Sequence, residues 1–508
     1  TGASNAEAKD DARPNILFIY TDDQSTRTVS SYADAYAWVD TPHIDGLAKQ
    51  GVRFENAYIG SWCMPSRASL LTGHHQFGIE SMRMDGAYPG SSYDYRQCPF
   101  WPAVFRGNGY QTAHIGKWHT GTDTGFGRDW DYQKVWNRPR FVDNAEKYYY
   151  DQLISTNGGE AVMTEGYSTD NYTDWAIEYI EGEGRAADKP WYLWLCYGAV
   201  HAPFTPADRH LDDYADAEIP DPVGIYGDRV GKPEYVQNMK FWEKSPEGWP
   251  AERSARAEAD VPTGMVDLPG RRLKDWVRQY QQGVLAIDEG VGRLMVALKE
   301  SGQDENTLVV FTSDQGFAWG QYGFKSKVAP YRASVAAPLI IRPVEINEET
   351  RGKVVTDAVS GVDLVPTFFA QAGMELPWKM HGRDLSPLLR DGKTDWRQPA
   401  MVVHTAKEYG SAADVVPGPD DKRLYHGPGV PWYVMYAEGR YKYVRTLVPG
   451  EVEELYDMKA DLQEEHNLVQ NPRYAPLVKR LRKAAMAELK RTDAKLVSSL
   501  PPVAPLKD

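Results

Sequence analysis

Residues 14–23 read PNILFIYTDD, a short apolar run that ends in two acidic residues. The run at residues 15–20 has the near-continuous apolar character of a strand that is covered on both faces of a sheet. Asp22 and Asp23 follow it directly. Because ligands of open α/β sheets bind beyond the carboxyl ends of the strands, this stretch predicts a central strand that leads into a polar site.

Apolar runs and helical stretches alternate along the chain to about residue 390. The other predicted strands lie at residues 111–116, 191–197, 307–312 and 338–342. Thr41 and Pro42 supply a helix N-cap and a first-turn proline, and apolar residues recur at helical spacing over residues 272–300. This alternation predicts an α/β fold in which helices flank a large, mainly parallel central sheet.

The sequence changes in character from about residue 395. Apolar runs at 400–404, 432–437 and 441–445 are separated by loops rich in Gly, Pro and Asp, which predicts a small antiparallel sheet. Leu477, Leu481, Ala485 and Leu489 recur at every fourth position and predict a closing helix. We therefore expect an N-terminal catalytic α/β domain over residues 1–394 and a C-terminal subdomain over residues 395–508.

Residues 205–270 interrupt the alternation of strands and helices. They are rich in Pro, Trp and acidic residues and show little periodicity. One interpretation is a plain surface insertion. The other, which we carry into the domain assignment, is an insertion that shapes a substrate cleft, because long loops in compact domains are often functional.

The overall composition excludes several classes of protein. The 508 residues carry 57 Lys+Arg against 71 Asp+Glu, a net charge of −14, whereas a nucleic-acid binder needs a basic surface. No segment approaches the roughly 20 apolar residues of a membrane span, and three cysteines cannot form a disulfide framework. The opening stretch, TGASNAEAKDDARP, lacks the apolar core of a signal peptide, as a mature N-terminus after export or a trimmed chain would.

Polar side chains follow three of the other predicted strands as well, those at residues 111–116, 191–197 and 307–312. They are Lys117, His119, His201, Asp314 and Gln315. Together with Asp22 and Asp23 they supply the carboxylate and amide oxygens that Ca²⁺ and Mg²⁺ prefer, and a cation relieves the repulsion between adjacent carboxylates. The alternative is that each aspartate only caps a helix or a turn.

The most distinctive stretch is SWCMPSRASLLTG at residues 61–73. Pro65 marks a turn, and the run that follows ends at Gly73 as a helix would. Cys63 then lies near a helix N-terminus, a position that favours anions. From the residues alone, Cys63 is either a buried structural cysteine or a nucleophilic thiolate of low pKa.

The same stretch resembles the Cys-x-Pro-Ser-Arg-x-x-Leu-Leu-Thr-Gly signature of the type I formylglycine-dependent sulfatases, which belong to the alkaline-phosphatase-like superfamily. The other segments that resemble this family are PNILFIYTDD, TPHIDGLAKQGVRFENAY at 41–58, GKWH at 116–119, HAPF at 201–204, residues 312–340 and ELYD at 454–457. The resemblance spans nearly the whole chain and is weakest over the insertion. It implies hydrolysis of sulfate monoesters, most often on a sulfated carbohydrate or polysaccharide.

The resemblance also implies a covalent mechanism. A maturation enzyme oxidises Cys63 to formylglycine, whose hydrate attacks sulfur with one hydroxyl and expels sulfate with the other. The implied ligands of one Ca²⁺ ion are Asp22, Asp23, Asp314, Gln315 and the oxidised Cys63. The implied catalytic residues are five. Arg67 fixes the hydrate, and Lys117 and Lys327 bind the sulfate group. His119 is the base that accepts the diol proton, and His201 is the acid that protonates the leaving alcohol.

Two positions depart from the family pattern. Asp314 is followed by Gln315, where the family usually has Asn or His, although glutamine still offers a carbonyl oxygen. The lysine loop reads KVAPYR at residues 327–332, where the family has Lys-x-x-x-Tyr-Glu. The spacing to Tyr331 assigns the sulfate-binding role to Lys327, and Lys325 is its competitor.

Four residues are further candidates for substrate binding. They are His74, His75, Arg83 and Lys325. For the two histidines and the arginine, a helix cap or a surface contact is the alternative. The implied partners are a sulfated glycan and, during maturation, a formylglycine-generating or an anaerobic sulfatase-maturating enzyme, with no nucleic acid and no membrane span. By analogy with the family we expect a periplasmic or secreted protein.

Two other functions remain open at this point. The first is a phosphate or phosphonate ester hydrolase of the same superfamily. The second is a catalytically silent glycan-binding relative in which Cys63 is unmodified. The complete set of Lys117, His119, His201 and Lys327 argues against the second, because a silent protein has no chemical need to keep every catalytic group.

Overall fold

The computed structural model describes residues 13–86, 88–253, 272–345, 347–391 and 394–506. The predicted polar N-terminus at residues 1–12 and the end of the predicted insertion, from residue 254, lie outside the described residues.

The strands are, in chain order, β1 (Asn15–Thr21), β2 (Val52–Tyr58), β3 (Met82–Arg83), β4 (Ser92–Tyr93), β5 (Gln111–Trp118), β6 (Tyr132–Asn137), β7 (Gln152–Thr156), β8 (Ala161–Thr164), β9 (Trp191–Cys196), β10 (Trp242–Lys244), β11 (Pro250–Glu252), β12 (Thr307–Ser313), β13 (Ala318–Trp319), β14 (Lys325–Ser326), β15 (Leu339–Arg342), β16 (Lys353–Ser360), β17 (Ala400–His404), β18 (Tyr425–His426), β19 (Val430–Pro431), β20 (Tyr433–Glu438), β21 (Tyr441–Thr446) and β22 (Glu454–Asp457). The α-helices are α1 (Pro42–Gln50), α2 (Cys63–Thr72), α3 (Pro102–Gly107), α4 (Ser168–Glu181), α5 (Glu234–Gln237), α6 (Leu273–Glu300), α7 (Arg332–Val335), α8 (Leu364–Gln371), α9 (Ser386–Arg390) and α10 (Ala475–Arg491).

Ten strands form one central sheet in the order β16-β2-β15-β12-β1-β9-β5-β6-β7-β8. The five in the middle, from β12 to β6, are parallel, with Asn15 paired to Thr307 and Ile16 to Tyr192. Among the described strands of this sheet, β7 and β15 run against the others. The predicted α/β fold with a large, mainly parallel sheet is therefore confirmed.

Both faces of the central sheet are covered, as the apolar run of β1 predicts. Ile16, Phe18 and Tyr20 pack into one hydrophobic cluster with α2, α3 and α8. Leu17 and Ile19 pack into a second cluster on the opposite face, with α1, α4 and α6. Since successive side chains of a strand point to opposite faces, burial on both sides accounts for the apolar residues in the middle of β1.

The C-terminal part forms its own four-stranded antiparallel sheet, β17-β20-β21-β22. Helix α10 closes the chain and buries Leu481 and Ala485 against Tyr443 and Leu455. The predicted small antiparallel sheet and closing helix are confirmed. The division of the chain after residue 394 stays a prediction.

The described part of the insertion contains α5 and the β10–β11 hairpin. One buried charged group joins it to the C-terminal sheet. We call Lys232, Lys442, Glu454 and Glu464 the lysine–glutamate cluster. The Lys232 Nζ donates to the Glu464 carbonyl and to the Tyr456 hydroxyl, both at 2.6 Å, and the Lys442 Nζ lies 2.5 Å from Glu464 Oε1.

No helix among the described residues is long and apolar enough to cross a membrane.

Candidate active site

The carboxyl edge of the central sheet gathers the predicted polar residues. Asp22 and Asp23 follow β1, Asp314 follows β12, and His201 lies in the turn after β9. Lys117 is the penultimate residue of β5. Because these strands are parallel neighbours, their ends meet, and the Asp23 backbone N–H donates to Asp314 Oδ1 at 2.9 Å.

We call Asp22, Asp23 and Asp314 the carboxylate cluster. A ligand oxygen from each lies within 4.8 Å of the others. Each carboxylate lies against a cationic side chain: Lys117 contacts Asp22, Lys327 contacts Asp23 at 2.7 Å, and Arg67 contacts Asp314 at 3.2 Å and Asp22 at 3.7 Å. All three carboxylates are essentially inaccessible to solvent. The protein therefore concentrates three carboxyl groups and three cationic side chains in one buried place.

Two buried oxygens at this cluster have no hydrogen-bond partner in the described structure. They are Asp22 Oδ1 and Gln315 Oε1. A buried oxygen without a partner is costly, so its presence points to a ligand. The Gln315 amide nitrogen donates to Asp23 Oδ1, which places the amide at the cluster. This all-oxygen donor set fits a hard cation such as Ca²⁺.

The pKa values of the carboxylates diverge. Burial alone would raise the pKa of Asp22, but Lys117, and then His201 and Arg67, hold it well below its usual range. Burial and the charge of Asp22 raise the pKa of Asp314 well above its usual range. Two neighbouring carboxylates whose pKa values are driven apart are typical of a functional site.

Cys63 is the first residue of α2 and is only 3% exposed. The Lys327 Nζ lies 2.8 Å from its Sγ, and its sulfur, Asp22 and His201 offer ligand atoms within 4.8 Å of one another. Burial raises the pKa of the Cys63 thiol to about 12. Burial therefore disfavours the low-pKa thiolate as an explanation of this cysteine.

Two glycines belong to the elements that carry Arg67 and Lys117. One follows helix α2, and the other lies in strand β5. Gly73 ends α2 with φ +74°, where a Cβ would collide with Met380. Gly116, with φ +104°, precedes Lys117, and a Cβ there would lie 2.1 Å from the Cys196 carbonyl oxygen. Neither position tolerates a side chain.

His119 lies beside an arginine that the sequence analysis missed. The Arg138 Nη1 is 3.2 Å from His119 Nε2. Burial, and then the positive charge of Arg138, lower the pKa of His119 well below its usual range. The imidazole is therefore neutral, as a proton acceptor must be. Arg138 directly follows β6, so the strand-end rule would have found it had β6 been predicted.

His201 is held in a fixed orientation. Its ring stacks on Tyr148 at a centroid distance of 4.0 Å, and its Nδ1 lies 2.7 Å from the Ala202 carbonyl oxygen. Its Nε2 faces the carboxylate cluster, 3.7 Å from Asp23 Oδ2. Burial and the charge of Lys327 lower its pKa well below the usual range. Tyr148 was also missed, because no local motif marks it.

The structure separates the two candidate lysines. The Lys327 Nζ contacts both Asp23 and Cys63. The Lys325 Nζ instead pairs with Glu252 of the insertion at 2.7 Å. Lys327 is thus the lysine at the carboxylate cluster, and Lys325 lies where the described insertion meets the lysine loop.

The three other substrate-binding candidates contact parts of the protein outside the carboxylate cluster. His74 Nε2 lies 2.9 Å from the Lys379 carbonyl oxygen, and the His75 backbone N–H donates to His381 Nδ1. Arg83 donates to the Glu80 carbonyl oxygen at 2.9 Å. These are the local contacts of the alternative interpretation, and a role in substrate binding stays a prediction.

A mostly parallel α/β sheet that gathers buried charges at its carboxyl edge is an arrangement typical of an α/β enzyme. The family model described as Sulfatase matches residues 14–374. The chain belongs to the sulfatase family. This match confirms the family and the enzyme class, a sulfuric ester hydrolase, that the sequence predicts.

Several curated relatives are similar over most of the chain. An N-acetylglucosamine-6-O-sulfatase of Bacteroides thetaiotaomicron is 31% identical over 94% of this chain and 86% of the relative. An arylsulfatase of Clostridium perfringens is 25% identical over 94% of both chains. The human N-acetylglucosamine-6-sulfatase is 26% identical over 77% of this chain and 67% of the relative.

Solved structures show the same fold. A protein solved with its substrate D-glucosamine-2-N,6-O-disulfate has a TM-score of 0.76 and 27% identity, covering 95% of this chain and 98% of its own. A phosphonate monoester hydrolase from Silicibacter pomeroyi has a TM-score of 0.69 and 21% identity, covering 96% and 97%. The second likeness extends to the fold alone.

Proposed function

We propose that the protein hydrolyses sulfate monoesters of a sulfated carbohydrate, with formylglycine derived from Cys63 and one Ca²⁺ ion. The observation that carries the proposal is the position of Cys63, which lies beside Lys327 and opposite the carboxylate cluster. A nucleophile precursor, a metal-ligand set and cations that match a sulfate dianion or monoanion meet at one point.

The cations of the site bind and orient the sulfate group. A sulfate ester is an anion that repels an attacking nucleophile, so its charge must be neutralised in place. Lys117, at the carboxyl end of β5, and Lys327, in the loop after β14, bind its oxygens, while Arg67, one helical turn from Cys63, screens the charge at residue 63. Their burial strengthens each contact because water competes less.

The two histidines take the proton transfers. His201 presents Nε2 to the site and gives a proton to the leaving alcohol oxygen, while its Nδ1 stays on the Ala202 carbonyl. The bound sulfate ester carries a negative charge, which favours protonation of the His201 ring. His119, kept neutral beside Arg138, accepts a proton from residue 63.

Two groups would complete this machinery. Asp22, Asp23, Asp314 and Gln315 would hold Ca²⁺, which when bound supplies Lewis-acid polarisation of the sulfate and of the attacking hydroxyl. Formylglycine at position 63 would supply the nucleophile. A formylglycine-generating or an anaerobic sulfatase-maturating enzyme would make it, and we propose a periplasmic or secreted location, where sulfated glycans are found.

The named relatives guide the choice of sugar. Two of the curated relatives are N-acetylglucosamine 6-sulfatases, and a similar solved protein binds a 6-O-sulfated glucosamine. We propose a 6-O-sulfated N-acetylglucosamine as the first substrate to assay. We propose that Lys325, which pairs with Glu252 beside the lysine loop, contributes to binding of the sugar.

The test is the mass of the tryptic peptide at residues 54–67, which contains Cys63 as its only cysteine. The protein is made in a host that has a maturation enzyme. A deficit that matches replacement of CH₂SH by CHO is expected, together with sulfate release from N-acetylglucosamine 6-sulfate. An intact thiol in active protein overturns the proposed nucleophile.

A phosphonate or phosphate ester hydrolase is the second candidate, favoured by the fold shared with the phosphonate monoester hydrolase. Initial rates on an aryl sulfate and on the matched aryl phosphate and phosphonate decide between them. We expect the sulfate ester to be hydrolysed fastest. A large preference for a phosphorus ester would replace the proposed reaction.

A further inference from the structure

Lys327 lies between two residues with unusual backbone conformation. Ser326 has φ +83° and Val328 has φ +88°. For a β-branched residue such as valine, a positive φ is a genuine outlier. Strained residues persist only where the surrounding structure holds them in place, and they concentrate at functional sites. Something must therefore hold Val328.

Two hydrogen bonds hold the Val328 backbone. Its N–H donates to the Ser61 carbonyl oxygen at 2.9 Å, and its carbonyl oxygen accepts from the Tyr433 hydroxyl at 2.8 Å. Ser61 lies two residues before Cys63, so the first bond ties the lysine loop to the start of α2. The second ties the same residue to β20 of the C-terminal sheet.

The C-terminal sheet contacts both loops from one place. Tyr433 is fully buried, and its ring stacks on His404 of the neighbouring strand at 5.2 Å. His404 Nδ1 lies 3.1 Å from the Ser61 hydroxyl. Tyr433 and His404 thus form one rigid surface that meets Val328 directly and Ser61 beside it.

We propose that Tyr433 is a positioning residue, which sets the place of the Lys327 ammonium over residue 63 through the Val328 carbonyl. The proposal rests on the proposed function, because it requires Lys327 to bind the sulfate group. It gives the C-terminal sheet a part in catalysis although none of its residues is assigned to the reaction. A small displacement of a positioned group is enough to slow an enzyme markedly.

Tyr433→Phe keeps the ring and its packing and removes only the hydroxyl. In the formylglycine-containing protein we expect kcat/KM for N-acetylglucosamine 6-sulfate to fall about tenfold, with the circular dichroism spectrum unchanged. Tyr436→Phe is the matched control. Tyr436 lies in the same strand and is also buried, but its hydroxyl contacts Glu438, so its loss leaves kcat/KM unchanged. An unchanged kcat/KM in Tyr433→Phe overturns the proposal.

A double-mutant cycle with Lys327→Ala separates positioning from a general structural role. If Tyr433 acts through Lys327, adding Tyr433→Phe to Lys327→Ala lowers kcat/KM by less than twofold more. The same tenfold loss in both backgrounds overturns the positioning role. If Lys327→Ala alone leaves turnover unchanged, the proposed role of Lys327 fails instead, so the two failures are distinguishable.

Binding of inorganic sulfate supplies a readout that does not depend on turnover. Calorimetric titration of the protein with sodium sulfate is expected to give a weaker Kd for Tyr433→Phe by about the same factor as the loss in kcat/KM. In Lys327→Ala the added Tyr433→Phe should leave the Kd unchanged. An unchanged Kd in Tyr433→Phe alone contradicts the proposal.

Discussion

The carboxylate cluster and the lysine–glutamate cluster are both buried groups of charges, yet they differ in how their carboxylates are arranged. In the lysine–glutamate cluster, Lys232 donates to two oxygens and lies against three tyrosine rings, Lys442 pairs with Glu464, and Glu454 Oε1 has no hydrogen-bond partner. In the carboxylate cluster, three carboxylates bring an oxygen each within 4.8 Å of the others, and Asp22 Oδ1 and the neighbouring Gln315 Oε1 have no hydrogen-bond partner.

The difference indicates which group awaits a ligand. Buried charges that satisfy one another hold parts of the protein together, because removing one partner leaves the other exposed to an apolar interior. Buried carboxylates that converge on one point repel one another, and a metal ion bound between them relieves that cost. The two clusters therefore have a structural and a catalytic use, and the following measurements test that division.

The largest effect is expected at the carboxylate cluster, to which we assign the catalytic use. Cys63→Ala removes the proposed nucleophile and should lower kcat/KM for N-acetylglucosamine 6-sulfate by at least about 10⁴-fold. Its unfolding midpoint in urea should stay close to that of the unmodified parent, because only one sulfur atom is lost. Cys98→Ala is the control and should keep its activity. Turnover by Cys63→Ala would break the assignment of the carboxylate cluster as the catalytic one.

The next largest effect is expected for the lysine–glutamate cluster, to which we assign the structural use. Glu464→Gln leaves Lys442 without a charged partner at full burial, and the free energy of unfolding should fall by about 3–5 kcal/mol. Urea denaturation measures it, and the exposed neighbour Glu465→Gln should change it by less than about 0.5 kcal/mol. Equal stability of the two variants would show that the pair of Lys442 and Glu464 does not stabilise the fold.

Calcium should stabilise the protein through the carboxylate cluster and not through the lysine–glutamate cluster. At a Ca²⁺ concentration of about 100 times its Kd, the metal should raise the free energy of unfolding by about 2.7 kcal/mol over the EDTA-treated protein. Asp314→Asn should lose this gain while costing little in EDTA, since burial already raises the pKa of that carboxyl well above its usual range. The exposed Asp188→Asn is the control. A full calcium response in Asp314→Asn would place the ion elsewhere.

The smallest expected effect concerns a third, partly exposed group on α10. Burial alone would raise the pKa of Glu488, but hydrogen bonds from Arg491 and Arg383 lower it to about 2. Because the folded pKa is below the ordinary 4.5, the stabilisation is complete above pH 4.5 and is lost as the pH falls towards 2. Solvent screening limits it to about 1 kcal/mol.

Denaturant midpoints of the parent and of Glu488→Gln measure this contribution of Glu488 to stability. The parent should be more stable than the variant at pH 6, and the gap should close by pH 2. Glu375→Gln, at an exposed position, should show no such gap at either pH. A gap that persists at pH 2 would assign the effect to packing rather than to charge.

Much of the fold follows from the local sequence. The runs that form β1, β9 and β12 are apolar over their whole length, because both of their faces are buried. Strand β15 was predicted, but its antiparallel direction depends on how the chain returns to the sheet, and no local pattern records that. Strands β7 and β8 lie at one edge of the sheet and alternate less clearly between buried and exposed positions.

The residues of the candidate site likewise divide into those that a local pattern marks and those that no local pattern marks. Asp22, Lys117 and Asp314 lie at strand ends and were found from the sequence. Tyr433 and Lys232 act across separations of 105 and 224 residues, and in a single sequence nothing marks such pairs. The placement of Lys327 over Lys325 came from spacing alone and agrees with the contacts of both side chains.

The burial of Cys63 restricts when it can be oxidised. The proposed maturation enzyme would have to reach this residue, yet only 3% of it is exposed once the chain has folded. The residues that cover it, such as Lys327, are synthesised more than 200 residues later. The proposed modification would therefore compete with folding, and a chain that folds first would be well packed but inactive. Variants that fold faster should contain less formylglycine per molecule, so stability and specific activity would trade against each other during biosynthesis.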